Sequence, residues 1–262
     1  MTDPATKASP PAQAPWILPG APLLLAAIVL IAAPHLQPRA AGYVFLLIAA
    51  LLAASLGLVG WLVNGRPIGA FIDNRNRLSL SKLQAGAWTV IVIAAFATAA
   101  AYNAAATTDH QSVSALNIII PGELLLAMGI SATSLVAAPA LLSLKSKETA
   151  TAQTVDALPP GSKANGKVVT HDDASEASWS NLVTGDEVGN AQSPDLGKIQ
   201  QVLITLVLLG CYAAYVATSF NESHGVIARL PVIDKSFVWL LGLSHASYLA
   251  YKAAPHTATG DQ

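Results

Sequence analysis

At 262 residues, 53% of them hydrophobic and only 11% charged, with a mean hydropathy of +0.51, the chain is too apolar and too sparsely charged for an ordinary soluble domain. Its formal net charge of −1 argues against nucleic acid as a partner, because phosphate-backbone binding requires a strongly basic face. The single cysteine, Cys211, excludes an intrachain disulfide and sits in an apolar stretch as a small packing residue.

A spanning helix needs roughly 20 mostly apolar residues, and taken in chain order the sequence offers an all-α, polytopic membrane fold of about six such helices. The Pro/Ala-rich leader, residues 1–15, reads as a disordered tail. Two N-terminal helices are expected within 16–63. The first, Trp16–Ala33, carries Pro19 and Pro22 near its start, where proline is tolerated. That segment also has the outline of a signal peptide, with Lys7 ahead of the run Leu23–Ala33, although Pro34 makes a poor cleavage site. The second is Gly42–Val63. A loop and first hairpin fill 64–142 with spans Gly86–Ala106 and Ile118–Leu142. Residues 143–194 read as a largely disordered loop because their apolar content is low. A second hairpin, 195–254, holds spans Ile199–Phe220 and Val232–Ala253, and 255–262 is a short tail.

Positively charged loops stay cytoplasmic. Arg66, Arg75, Arg77 and Lys82 follow the second helix, and Lys145, Lys147, Lys163, Lys167 and Lys198 follow the fourth, whereas Thr107–Asn117 has neither Lys nor Arg. Both termini are therefore expected in the cytoplasm of a bacterial-type inner membrane. Trp16, Trp61 and Trp88 fall at cytoplasmic helix ends and Trp239 near a periplasmic end, as interfacial indoles would.

The two hairpins share wording. Ser79-Leu80-Ser81-Lys82-Leu83-Gln84 with Thr89 recurs as Asp195-Leu196-Gly197-Lys198-Ile199-Gln200 with Thr205. Each copy leads to a proline, Pro121 or Pro231, and then to Gly129-Ile130-Ser131 with Ser134 or Gly242-Leu243-Ser244 with Ser247. This reads as a tandem duplication of parallel repeats. Ser79 and Asp195 are candidate helix N-caps. Lys82 and Lys198 then face lipid phosphate or an acidic partner, or simply snorkel to the interface, and Gln84 with Gln200 hydrogen-bonds across helices.

His245 is the one imidazole well inside an expected span, which makes it, with Ser244 and Ser131, a candidate transport group. A hydrogen bond to a neighbouring helix is the competing explanation. In the long loop, Trp179, Leu182 and Val183 followed by Asp186 and Glu187 form an apolar cluster next to acids, suited either to partner binding or to lying on the membrane. His171-Asp172-Asp173 is a weak metal candidate, better read as solvated. No Gly-rich phosphate loop, HExxH or GxSxG motif occurs, so no catalytic residue, metal or cofactor is expected.

The run Ile72–Gln84 with Trp88-Thr89, then Gly185–Asn190 and Asp195–Lys198, then Leu241–Ala246, resembles a family of uncharacterised bacterial multi-pass membrane proteins. The likeness covers residues from about 60 to 255 and implies no activity. Two expectations follow from the residues. The first is a non-enzymatic scaffold whose cytoplasmic loops hold another protein at the membrane. The second is an oligomeric channel or transporter with a polar pathway between the hairpins.

Overall fold

The structure is a computed structural model that describes residues 17–37, 39–106, 114–223 and 225–257. The expected N-terminal tail, Trp16 and part of the loop before the fourth helix lie outside these residues. The chain is mostly helical: α1 (Gly20–Leu36), α2 (Ala41–Asn64), α3 (Leu80–Ala106), α4 (Gly122–Lys145), a short α5 (Ala152–Asp156), α6 (Leu196–Glu222) and α7 (Lys235–Ala253). One antiparallel hairpin, absent from the all-α expectation, pairs β1 (Ser162–Asn165) with β2 (Val168–His171).

Among the described residues, four helices, α2, α3, α4 and α6, are long and apolar enough to cross a membrane. Their faces are sorted as a lipid solvent requires. Leu46, Leu47, Leu125, Leu126, Val136, Leu203, Leu206 and Val207 point outward, while Ser81, Gln84, Thr98, Asn103, Ser131, Ser134, Gln201 and Thr205 are buried. In water that arrangement would leave a large apolar surface exposed; in a bilayer it keeps polar groups inside the bundle and leaves the aliphatic ones to the acyl chains.

The bundle alternates direction. α3 and α6 start at one end, and α4 and α7 return to it. At the opposite end the segments leading into α4 and α7 pair in parallel, with Ile119 N donating to Ala228 O (2.9 Å) and Leu230 N to Ile119 O (3.0 Å). Asn103 of α3 closes this end by donating to Ile227 O (3.0 Å) and accepting from Ile227 N (2.6 Å). α2 crosses α6 at Gly42, whose N–H donates to Asn221 Oδ1 (2.8 Å) and where a Cβ would overlap the Ala217 carbonyl. Phe45 meets Phe220 edge to face, ring centroids 6.1 Å apart, in the same contact.

Trp88 departs from expectation. It is 1% exposed, packed beside Tyr212 with ring centroids 6.2 Å apart, and is a core residue rather than the interfacial anchor its place in the sequence suggests. A residue near the start of a helix lies deep when its face turns toward the bundle axis, and helical position in the sequence does not by itself give the facing.

The segment 143–194, expected to be largely disordered, is folded. Together with residues 66–79 it forms a cap over the end of the bundle where α3 and α6 begin. Its own apolar core is small: Ile72, Leu78, Leu80, Ala177 and Leu182. Backbone and side-chain pairing supply the rest. His171 N donates to Arg75 O (2.9 Å), Asn76 Nδ2 to His171 O (2.9 Å) and Arg66 Nη1 to Ser175 O (2.9 Å). Asn76 turns the 66–79 loop with φ 57, a left-handed geometry that asparagine accepts more readily than most residues. Composition alone suggests disorder because it counts charged residues as solvated; here several of them are paired and buried.

Candidate functional site

The cap is joined to the bundle through two adjacent carboxylates. Asp186, 7% exposed, receives Arg75 Nη1 at 3.0 Å from the 66–79 loop, Lys198 Nζ at 2.9 Å from the first turn of α6, and Lys252 Nζ from the last turn of α7. Arg75 is itself bound through Nε (2.9 Å) and Nη2 (2.7 Å) to Asp73. Arg77 lies alongside, donating through Nη2 to Gly185 O (2.8 Å), with its Nε and Nη1 buried and without a hydrogen-bond partner among the described residues. Burial alone would raise the Asp186 carboxyl, but Lys198, Lys252, Arg75 and Arg77 outweigh it and hold the group well below the usual carboxylate range.

Its neighbour repeats the device. Glu187, 2% exposed, pairs with Lys145 at the end of α4 and accepts from His256 N (3.0 Å) beyond α7. Adjacent acids in one cap segment thus reach the ends of α4, α6 and α7. Asp195 caps α6 by accepting from Lys198 N (2.9 Å), as expected of an N-cap, and the corresponding Ser79 Oγ accepts from Lys82 N at 3.4 Å.

The residues singled out for partner binding therefore divide. Trp179 is 60% exposed on the cap. Leu182 is buried and Val183 packs against the cap core, while Asp186 and Glu187 are committed to the ion pairs just described. These four serve intramolecular contacts. In the run His171-Asp172-Asp173, read above as solvated, Asp172 pairs with Lys163 (2.6 Å) and Asp173 accepts from Ser175 N (2.8 Å).

The repeat residues divide as well. Lys82 Nζ donates to Ile72 O (2.8 Å), and Lys198 Nζ, besides Asp186, reaches Asn181 O (3.0 Å) and Thr184 O (2.7 Å); both lysines bind the cap and neither reaches toward lipid. Gln84 is buried, but its partner is Gln201, whose Nε2 donates to Gln84 Oε1 (2.8 Å); Gln200 is exposed. Thr205 is buried and accepts from Gln84 Nε2 (2.5 Å), whereas Thr89 is exposed and donates to Ala85 O. The buried series Ser81, Gln84, Trp88, Ala95, Ala99 of α3 has the same spacing as Lys198, Gln201, Thr205, Tyr212, Val216 of α6. It runs one residue out of step with the shared wording.

The chain continues into the bundle. His245 Nδ1 lies 3.2 Å from Gln201 Nε2 and 2.6 Å from Ser134 Oγ, within hydrogen-bonding distance of both. His245 Nε2 and the hydroxyls of Ser131 and Ser244 are buried without a hydrogen-bond partner among the described residues. The structure thus joins His245 to Gln84 and Thr205, a link that their distance in sequence conceals. Sequence reasoning also misses the roles of Arg75, Arg77, Lys145 and Lys252. Their signal is complementarity: basic residues at the ends of three segments, and one acidic pair between them.

Comparison with protein-family models, with curated proteins and with solved structures finds no match to this chain.

Proposed function

We propose that the chain is a non-enzymatic scaffold of a bacterial inner membrane, holding a cytoplasmic protein or assembly at the bilayer. The observation that carries this reading is the cap: a folded extramembrane unit locked to three helix ends by Asp186 and Glu187, with Trp179 standing out from it. A merely connecting loop has no need of buried ion pairs, which are costly to desolvate and best suited to fixing one arrangement. In this reading α1, of 17 residues, and α7, of 19, are the fifth and sixth spans. Both termini are cytoplasmic, as is the cap with its basic segments.

The hairpins α3–α4 and α6–α7 are a tandem duplication in the same reading. It is supported by equal lengths of 27 residues for α3 and α6 and by parallel pairing of the segments before Pro121 and Pro231. The one-residue offset between their buried faces is then a later divergence that lets Lys198 reach Asp186.

The test is recovery of a partner from native membranes in mild detergent. Trp179→Ser should leave insertion and folding intact and abolish recovery; unchanged recovery counts against the scaffold. A second reading, an oligomeric channel or transporter, is favoured by the buried series Ser134, His245, Gln201, Gln84 and Thr205. It requires liposome flux that His245→Ala alters.

A further inference from the structure

A cavity of about 150 Å³ opens beside the Asp186 clamp, where the cap meets the ends of α3 and α4. Its floor includes Arg75, Asp186, Lys198 and Lys252, and exposed Ser143 and Asn165 stand at its mouth. The charges there do not balance. Arg75, Arg77, Lys198 and Lys252 act on Asp186, and the remaining acid of the group is Asp73, already bound by Arg75. Glu187 is taken by Lys145, and Asp195 is turned to the first-turn amide of α6; with those included, cations still outnumber carboxylates.

An excess of buried positive charge is strongly unfavourable unless a lysine gives up its proton or an anion compensates it, and an anion that enters keeps every cation of the group charged. Lysine and arginine in a partly closed site, with hydroxyl and amide groups at the rim, are the groups that bind phosphate. At about 150 Å³ the space exceeds the roughly 10–15 Å³ that one water requires by a wide enough margin to admit a tetrahedral oxyanion.

We propose that this cavity binds a phosphate group, lodged against Lys252 and Arg75, with Lys198 adding its charge from behind, and entering past Ser143. Two sources supply that chemistry. One is the headgroup of a membrane phospholipid, since the mouth lies at the end of α4; the other is free phosphate. Either would fasten the cap more firmly to the bundle, because a ligand that binds only the docked form stabilises it.

The experiment uses the full chain in neutral detergent. Thermal unfolding is followed against inorganic phosphate, with chloride at matched ionic strength as control, and lipid retention is measured by native mass spectrometry from nanodiscs of phosphatidylglycerol and phosphatidylcholine. Ser143→Phe, an exposed change that fills the mouth without touching an ion pair, is compared throughout. A saturable rise in the unfolding midpoint with phosphate, made about tenfold weaker in affinity by Ser143→Phe, supports the site with free phosphate as ligand. Retained lipid that phosphate displaces, and that Ser143→Phe loses, supports the site with a headgroup as ligand. A midpoint that responds equally to chloride together with no retained lipid overturns the proposal. So does binding of either probe that Ser143→Phe leaves unchanged.

Discussion

Replacing Asp186 with asparagine tests the clamp with almost no change of shape. The carboxylate now faces Arg75 at 3.0 Å, Lys198 at 2.9 Å and Lys252, all at least largely buried. The substituted amide would keep one acceptor oxygen and lose the charge. Breaking a buried ion pair by removing one partner typically costs about 3–5 kcal/mol, because the other charge is left buried and uncompensated. Against a total stability of about 5–15 kcal/mol for an ordinary domain, that is enough to undock the cap while the apolar helices stay inserted. Asp186→Asn should therefore raise amide exchange and protease sensitivity across residues 145–195 and in the 66–79 loop, with helix content by circular dichroism nearly unchanged. Lys163→Ala, which breaks an exposed pair with Asp172, is the control and should change neither. Equal protection of the cap in Asp186→Asn and wild type would refute the reasoning that this carboxylate holds the two parts together.

Four further outcomes are expected. Because the Asp186 carboxyl titrates well below the usual carboxylate range, its contribution is fully present above the unfolded value near 3.9 and is lost only as pH falls through the depressed folded value; cap protection by hydrogen exchange should persist to about pH 4 in wild type and fade below it. Gly42→Ala forces a Cβ into the Ala217 carbonyl and should lower stability by about 1–3 kcal/mol, read as a drop in the thermal midpoint in detergent. A double-mutant cycle of Gln84→Ala and Gln201→Ala should give a coupling of about 0.6 kcal/mol, and no more than about 1.7, the range of interhelical hydrogen bonds in membranes; zero coupling would contradict the pairing. Trp179→Ser should shift stability by less than about 0.5 kcal/mol, as expected of an exposed residue, and Leu182→Ser by much more.

What can be read from the sequence follows from the one strong signal it carries, long apolar runs. The helices at Ala41–Asn64, Leu80–Ala106, Gly122–Lys145 and Leu196–Glu222 lie where hydrophobic length puts them, and Asp195 caps α6 because an acid before an apolar run has few other uses there. Facing is harder. Trp88 and Thr89 are adjacent, one buried and one exposed, and so are Gln200 and Gln201; periodicity is faint when nearly every neighbour is apolar. The cap escapes a reading by composition for a different reason. Its stability rests on pairs such as Asp186 with Lys252 and Glu187 with Lys145, which join residues distant in sequence, and composition gives no sign of which charges will meet. The same limit hides the site: in sequence Asp186 and Glu187 look like an exposed acidic motif beside Trp179, and only the fold shows that they face inward.

The scaffold reading is tested most directly by placing a photo-crosslinking amino acid at position 179 and irradiating native membranes. The account predicts a single stoichiometric adduct with a cytoplasmic protein, lost when the cap is undocked by Asp186→Asn. Crosslinks confined to lipid or to a second copy of the chain, together with solute flux in liposomes, would contradict it and favour conduction through the His245 network.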